Sequence, residues 1–216
     1  MKSIFLITLL SLSALAQEKT PKSSIVKPTP IEFLLGHKRI QGQNIIIKSI
    51  ANSKFGIFSL TTLAGDYQNK DKSNNELFSN FQLHYDFFKG LKVTSGATFS
   101  SASGFKPIAG MEYFFANKNF TFVINPTINL TKSTSLANFA QLEYSPKNTK
   151  LNAYARLQGL YVQSLAGHGH ERSAAVVRLG ITYQGFATGL GINKDYYGPN
   201  KITKPNTGLF LLYKFL

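Results

Sequence analysis

Side chains that could do chemistry are sparse in this chain: only 16% of its 216 residues are charged. One grouping is the run Gly167-His168-Gly169-His170-Glu171-Arg172. Two imidazoles and a carboxylate could hold a divalent metal. Two such ligands on a Gly-rich stretch are more simply a polar surface loop, so no metal and no cofactor is expected. The same histidines lie near Ser164 and Ser173 in sequence. Ester hydrolysis needs a serine activated by a histidine that a third group orients. No compact His-x-Ser motif is present, so a lipid hydrolase is only a remote alternative. No catalytic residue is assigned, and a non-enzymatic protein is expected. Cysteine is absent, which excludes disulfides, thiolate chemistry, thiolate metal sites and a lipid anchor on an N-terminal cysteine.

The second grouping is a set of charged and imidazole side chains at polar positions between apolar ones: Lys48, His84, Asp86, Lys92, Glu112, Glu143, Arg156, Arg178, Asp195 and Lys214. If their segments are strands of one rolled sheet, these groups share its inner face. Glu143, Arg156 and Arg178 then lie on three consecutive strands and become neighbours. Such groups either line a narrow wet pore, whose basic excess favours anions, or pair with one another and fill the interior. A buried charge left alone costs several kcal/mol.

The elements that would position them repeat a period of two. In residues 77–88, Leu77, Ser79, Phe81, Leu83, Tyr85 and Phe87, a mostly apolar set, alternate with the mostly polar Phe78, Asn80, Gln82, His84, Asp86 and Phe88. In residues 120–130, Phe120, Phe122, Ile124, Pro126 and Ile128 alternate with Thr121, Val123, Asn125, Thr127 and Asn129. In residues 173–184, Ala175, Val177, Leu179, Ile181 and Tyr183 stand opposite Val176, Arg178, Gly180 and Thr182. Helical spacing fits these runs less well. Pro126 lacks a ladder donor, so a β-bulge is expected there. The whole pattern predicts strands at 31–40, 43–50, 55–65, 77–88, 91–101, 105–115, 120–130, 135–144, 151–163, 172–184, 186–195 and 206–215. The expected fold is all-β: a closed antiparallel up-and-down transmembrane barrel of about 12 strands, with 10 as the alternative. Strands of about ten residues suit a tilted bilayer crossing.

Short links at 51–54, 89–90, 117–119, 145–150 and Gly185 are expected to alternate with longer ones at 65–76, 165–171 and 196–205. This is the asymmetry of periplasmic turns and outer loops. Aromatic residues gather beside the short links: Tyr85, Phe87, Tyr113, Phe115, Phe120, Tyr144, Tyr183, Phe186, Tyr213 and Phe215. They are expected to form a girdle at the periplasmic interface.

The ends of the chain agree with export. Lys2, the apolar run Ile4 to Leu12 and the small-x-small site Ala14-Leu15-Ala16 read as a signal peptide over residues 1–16. Its removal takes away one Lys and lowers the formal charge from +14 to +13. Residues 17–30, with Pro21, Pro28 and Pro30, read as a polar periplasmic tail, and 31–216 as the barrel. The C-terminal residues GLFLLYKFL resemble the assembly signal of outer-membrane barrels, although Leu216 follows the terminal aromatic.

The stretches EFLLGHKRI, SKFGIFSLTTLAGDY, RLQGLYVQ, RLGITYQGFATGLG and YGPNKI resemble small outer-membrane barrels of the Bacteroidota, over residues 32–216. The resemblance implies fold and location and no particular chemistry. The chain is therefore expected in the cell outer membrane. Its role there is a narrow small-solute channel or a structural envelope component, or alternatively an accessory subunit of a larger complex. Twelve strands enclose less than the 16–18 of wide porins, so a filled or very narrow interior is favoured. Expected partners are membrane lipid, lipopolysaccharide phosphates and the barrel assembly machinery, and not nucleic acid. Lys70, Lys72, Lys132, Lys201 and Lys204 are expected outside, and Lys54, Lys89, Lys118, Lys147 and Lys150 on the periplasmic side. The sequence fixes no oligomeric state.

Overall fold

A computed structural model of the protein describes residues 29–68, 74–167 and 169–215. The expected signal peptide lies outside the described residues, as does the tail up to residue 28. Its last two positions, Thr29 and Pro30, belong to the first strand.

The described chain folds into twelve strands: β1 (Thr29–Gly36), β2 (Arg39–Ser49), β3 (Phe55–Asp66), β4 (Glu76–Phe88), β5 (Leu91–Ser100), β6 (Gly104–Ala116), β7 (Phe120–Asn129), β8 (Ser135–Tyr144), β9 (Leu151–Ser164), β10 (His170–Tyr183), β11 (Phe186–Tyr197) and β12 (Ile202–Phe215). Each pairs antiparallel with its sequence neighbours, and β1 closes the barrel on β12 from Thr29↔Phe215 to Gly36↔Gly208. Closure leaves no unpaired edge, the condition for a sheet to sit in lipid.

The alternation sorts the faces. Leu83, Leu142, Leu157, Leu179, Leu190 and Leu211 stand on the outer face, each 45–65% exposed. The polar partners in the same strands turn in and are buried. The expected girdle residues lie on the outer face at the end where the termini meet, and they stack across strands. Phe120 meets Tyr144 at 4.9 Å and Phe186 meets Tyr213 at 4.4 Å between ring centroids. Phe55 joins this band against Tyr85 at 5.1 Å.

Three details depart from the sequence expectation. The first hairpin turns at residues 37–38, not at 41–42. Gly42 sits inside β2, and an added Cβ there would touch the Phe33 ring at 3.4 Å. It makes room for a neighbour rather than ending a strand. Second, Pro126 carries no bulge. Gly110↔Thr127 and Tyr113↔Ile124 keep one register across it. Met111 faces the missing N–H of Pro126, and the Asn125 side-chain amide donates to the Met111 carbonyl at 2.9 Å instead. Third, the outer links are shorter than expected, at 67–75, 165–169 and 198–201. β10, β11 and β12 run on through residues that read as loop. Pro205 is accommodated in β12 because pairing with β1 stops at Gly208, which leaves that side of the strand open. Of the links at the end away from the termini, only 67–75 is long.

Lys89 and Gly90 (φ 42° and 91°) and Gln184 and Gly185 (φ 46° and 89°) make tight hairpin turns with two consecutive left-handed residues. That geometry matches the right-handed strand twist.

Candidate functional site

Among the described residues, buried polar groups converge most densely in the interior of the barrel, so the candidate site is built from its lining. At mid-height Glu32 of β1 holds two guanidinium groups. Arg156 Nη2 donates to both its oxygens at 2.8 and 2.7 Å, and Arg178 donates from Nε at 3.0 Å, with its Nη2 2.9 Å from the same oxygen. All three side chains are 2–3% exposed. Arg178 Nη1 also donates to Asn193 Oδ1 at 2.7 Å. Strands β1 and β9 are four ladder steps apart, about 19 Å along the wall at ~4.8 Å per step. The ion pair therefore crosses the lumen.

Glu143, Arg156 and Arg178 are in register on β8, β9 and β10, as expected. Glu143, however, is not the partner of the arginines. It accepts from Lys214 Nζ at 2.6 Å and from the Tyr154 hydroxyl at 3.0 Å, nearer the termini. Close to that same end, buried Glu112 contacts Lys92 Nζ and lies 3.5 Å from His84 Nδ1. Asp86 shares this face but caps a turn, accepting from the Gly90 N–H at 3.3 Å. Lys48 departs from the expected set. It pairs in register with Ile57 on the outer face, while Ile45 and Ile47 turn in.

Towards the loop end Asp195 belongs to a larger cluster. Arg39 donates to Asp195 at 2.6 Å and to Glu76 at 3.1 Å. The Tyr197 hydroxyl donates to Glu76 at 2.6 Å from the opposite wall. Arg172 and Lys204 lie over the Tyr197 ring at 5.1 and 5.0 Å. Lys204 also approaches Glu76 at 3.6 Å, so it faces the lumen mouth and not the outer surface. Lys132 and Lys201 are exposed at this end. Lys70 and Lys72 lie outside the described residues. Glu32, Arg39, Glu76 and Arg172 were not singled out by sequence. The available signal was charge balance: inward Arg156 and Arg178 require an acid, and Glu32 is the lone acid of an apolar strand.

An apolar septum stands on the β2, β3, β7 and β8 side of the interior, while a narrow cleft along the other side is lined by Glu32 and Arg178 together with Glu76 and Asp195. Phe58 of β3 meets Phe139 of β8 with ring centroids 6.0 Å apart. Those strands are five ladder steps apart, about 24 Å along the wall. Ile45, Leu60 and Val123 complete the cluster. On its loop side lies a cavity of about 550 Å³, floored by Leu60, Phe78, Phe139 and Leu160 and walled by β4 to β9 residues such as Asn80, Thr98 and Thr127. The interior is thus a vestibule above a packed plug.

Outside the lumen, His170 accepts or donates to Ser173 Oγ at 3.0 Å through Nε2, and its Nδ1 meets the Gly198 carbonyl at 2.7 Å. A register shift between His170 and Arg172 turns this imidazole towards Tyr161, on the outer face. Among the described residues its hydrogen-bond partners are Ser173 and the Gly198 carbonyl, and no carboxylate. Glu171 instead accepts from Ser135 Oγ at 2.5 Å. His168 lies outside the described residues, so the two-histidine metal arrangement is not assembled among those described.

No protein-family model matches this sequence, and no curated protein does. Solved structures align with the chain along most of its length. NanC porin in a rhombohedral crystal form aligns over 88% of this chain and 100% of its own, with 11% identity and a TM-score of 0.50. KdgM porin aligns over 87% and 99%, with 10% identity and a TM-score of 0.49. The chain thus has the closed antiparallel barrel fold of an outer-membrane porin.

Proposed function

We propose that this protein is an integral outer-membrane β-barrel that acts as a narrow, gated small-solute channel, closed in the state described above. The observation that carries the proposal is the vestibule that ends on the Phe58–Phe139 contact. A solute can enter from the loop end, but its onward path is filled by the apolar cluster on one side and by the Glu32–Arg156–Arg178 ion pairs on the other. Apolar constrictions of this kind gate by excluding water.

Membrane insertion is supported by the exterior. Phe105 and Phe115 mark the two ends of the outer face of β6. Ten residues at ~3.3 Å, tilted by about 40°, span about 25 Å, the height of the apolar band of such barrels. The loop end would face outward, where Lys132 and Lys201 can meet lipopolysaccharide phosphates. Export by the signal peptide and insertion by the assembly machinery complete this reading, as does the likeness to Bacteroidota barrels. No enzymatic role is assigned, because among the described residues the His170–Ser173 pair has no acid to stabilise a protonated imidazole.

A structural envelope component is the second reading, favoured by the buried ion pairs at Glu32 and Glu112. Planar-bilayer recording separates the two. The channel reading expects rare small conductance steps in the wild type and frequent larger ones in Phe139→Ala. Silence of both would favour the scaffold.

A further inference from the structure

We infer that the vestibule binds a small monoanionic amphipath, its carboxylate on Lys106 and its apolar body on the septum. This deepens the channel reading by assigning the class of solute, and it rests on that reading only for the side from which the solute arrives.

Charge comes first. The ionisable groups lining the cavity are Glu76, Lys106, Glu171, Arg172 and Lys204. Among the described residues three cations face two carboxylates, which leaves one positive charge uncompensated there. The partners identify which one. Glu76 is engaged by Arg39, Lys204, Arg172 and Tyr197. Glu171 is engaged by Ser135. Lys106 has no hydrogen bond and no ion pair among the described residues. It projects from β6 on the inward register of Ile108 and Glu112, half-buried in the cavity wall. Arg172 adds a second idle donor: its Nε is buried without a partner among the described residues. A half-buried cation without a counter-ion among the described residues, with an unused guanidinium N–H on the same chamber wall, is a ready site for one anionic group.

The rest of the chamber selects what that group is attached to. Its floor is Leu60, Phe78, Phe139 and Leu160, with Ile108 on the wall beside Lys106. Asn80, Thr98 and Thr127 on the wall can serve polar groups, but none of the floor side chains offers a hydrogen bond, so a polyhydroxylated body would lose water contacts where it meets the floor. An aliphatic or aromatic body would not. A volume of about 550 Å³ accommodates a ligand of small-molecule size.

The chain contains no tryptophan, so a single Phe78→Trp substitution makes a reporter at the floor with no background. The reporter barrel in lipid nanodiscs is titrated with 6-bromohexanoate, whose bromine quenches indole, and with 6-bromohexanol. The expected result is saturable quenching by the acid at a concentration at least tenfold below the alcohol. Lys106→Gln should abolish that preference and Lys106→Arg should keep it. Heat-modifiable electrophoretic migration verifies that each variant is folded. Equal quenching by acid and alcohol, a preference that survives Lys106→Gln, or absence of saturable quenching would each overturn the inference. So would glucuronate displacing the probe as well as hexanoate does. A wild type that is constitutively open in bilayers would sink the gated-channel reading and leave this binding result standing.

Discussion

Glu32 is the residue on which the interior balance depends most. It is the one carboxylate between Arg156 and Arg178, all three buried. Glu32→Gln keeps the shape and strands two guanidinium groups, at a cost of about 3–5 kcal/mol. Denaturant titration of the vesicle-embedded barrel should show this loss, with a smaller one for Glu143→Gln, whose partner Lys214 is 18% exposed. Equal losses would contradict the pairing. The inward turn of both arginines is legible in the alternation of their strands. Their partner is not, because β1 reaches them only through barrel closure, a contact 124 residues away in sequence. Lys48 fails for a different reason. It follows Ile45-Ile46-Ile47, a run with no alternation, so parity could not be read there. On the outer face near the end of β2, its long stem can carry the ammonium to the interface.

At the scale of the element, strand positions were readable because a period of two survives wherever one face meets polar groups and the other meets lipid. β8 has the expected bounds, and most other strands differ by one or two residues. Strand ends misled where Pro205 and the glycines of the outer links suggested loops, since pairing by β11 and β12 overrides local breakers. Pro126 is the sharpest case. A bulge was the simplest repair, yet the Asn125 amide supplies the absent donor. The same residue exchanges side-chain hydrogen bonds with Gln82, at 2.8 and 3.2 Å. Asn125→Ala should therefore cost about 1–3 kcal/mol through unsatisfied buried groups, read as a lower denaturation midpoint. An unchanged midpoint would mean that the β6–β7 ladder repairs itself another way.

For the whole molecule, two opposite solvents explain one sequence. In the proposed membrane setting the exterior leucines meet lipid, and the interior charges meet partners or water. Leu179→Arg places a charge midway down the outer face and should cost about 2–4 kcal/mol in a bilayer. The folded fraction in vesicles should drop, whereas the inward-facing Val176→Thr should leave it nearly unchanged. The closed barrel was foreseeable from strand number and the C-terminal pattern. The septum was not, because Phe58 and Phe139 belong to strands five ladder steps apart and only the curvature of the closed sheet brings them together.

The central claim is a barrel open at the loop end and shut across its middle. Thr98 lines the vestibule, and Thr94 lies on the same inward face of β5, past the septum and 5% exposed. Because the chain has no cysteine, Thr98→Cys and Thr94→Cys are each a single thiol. Both are treated on intact cells with a membrane-impermeant maleimide. Thr98→Cys should label readily and Thr94→Cys hardly at all. Equal labelling of the two would show a continuous lumen and contradict the account.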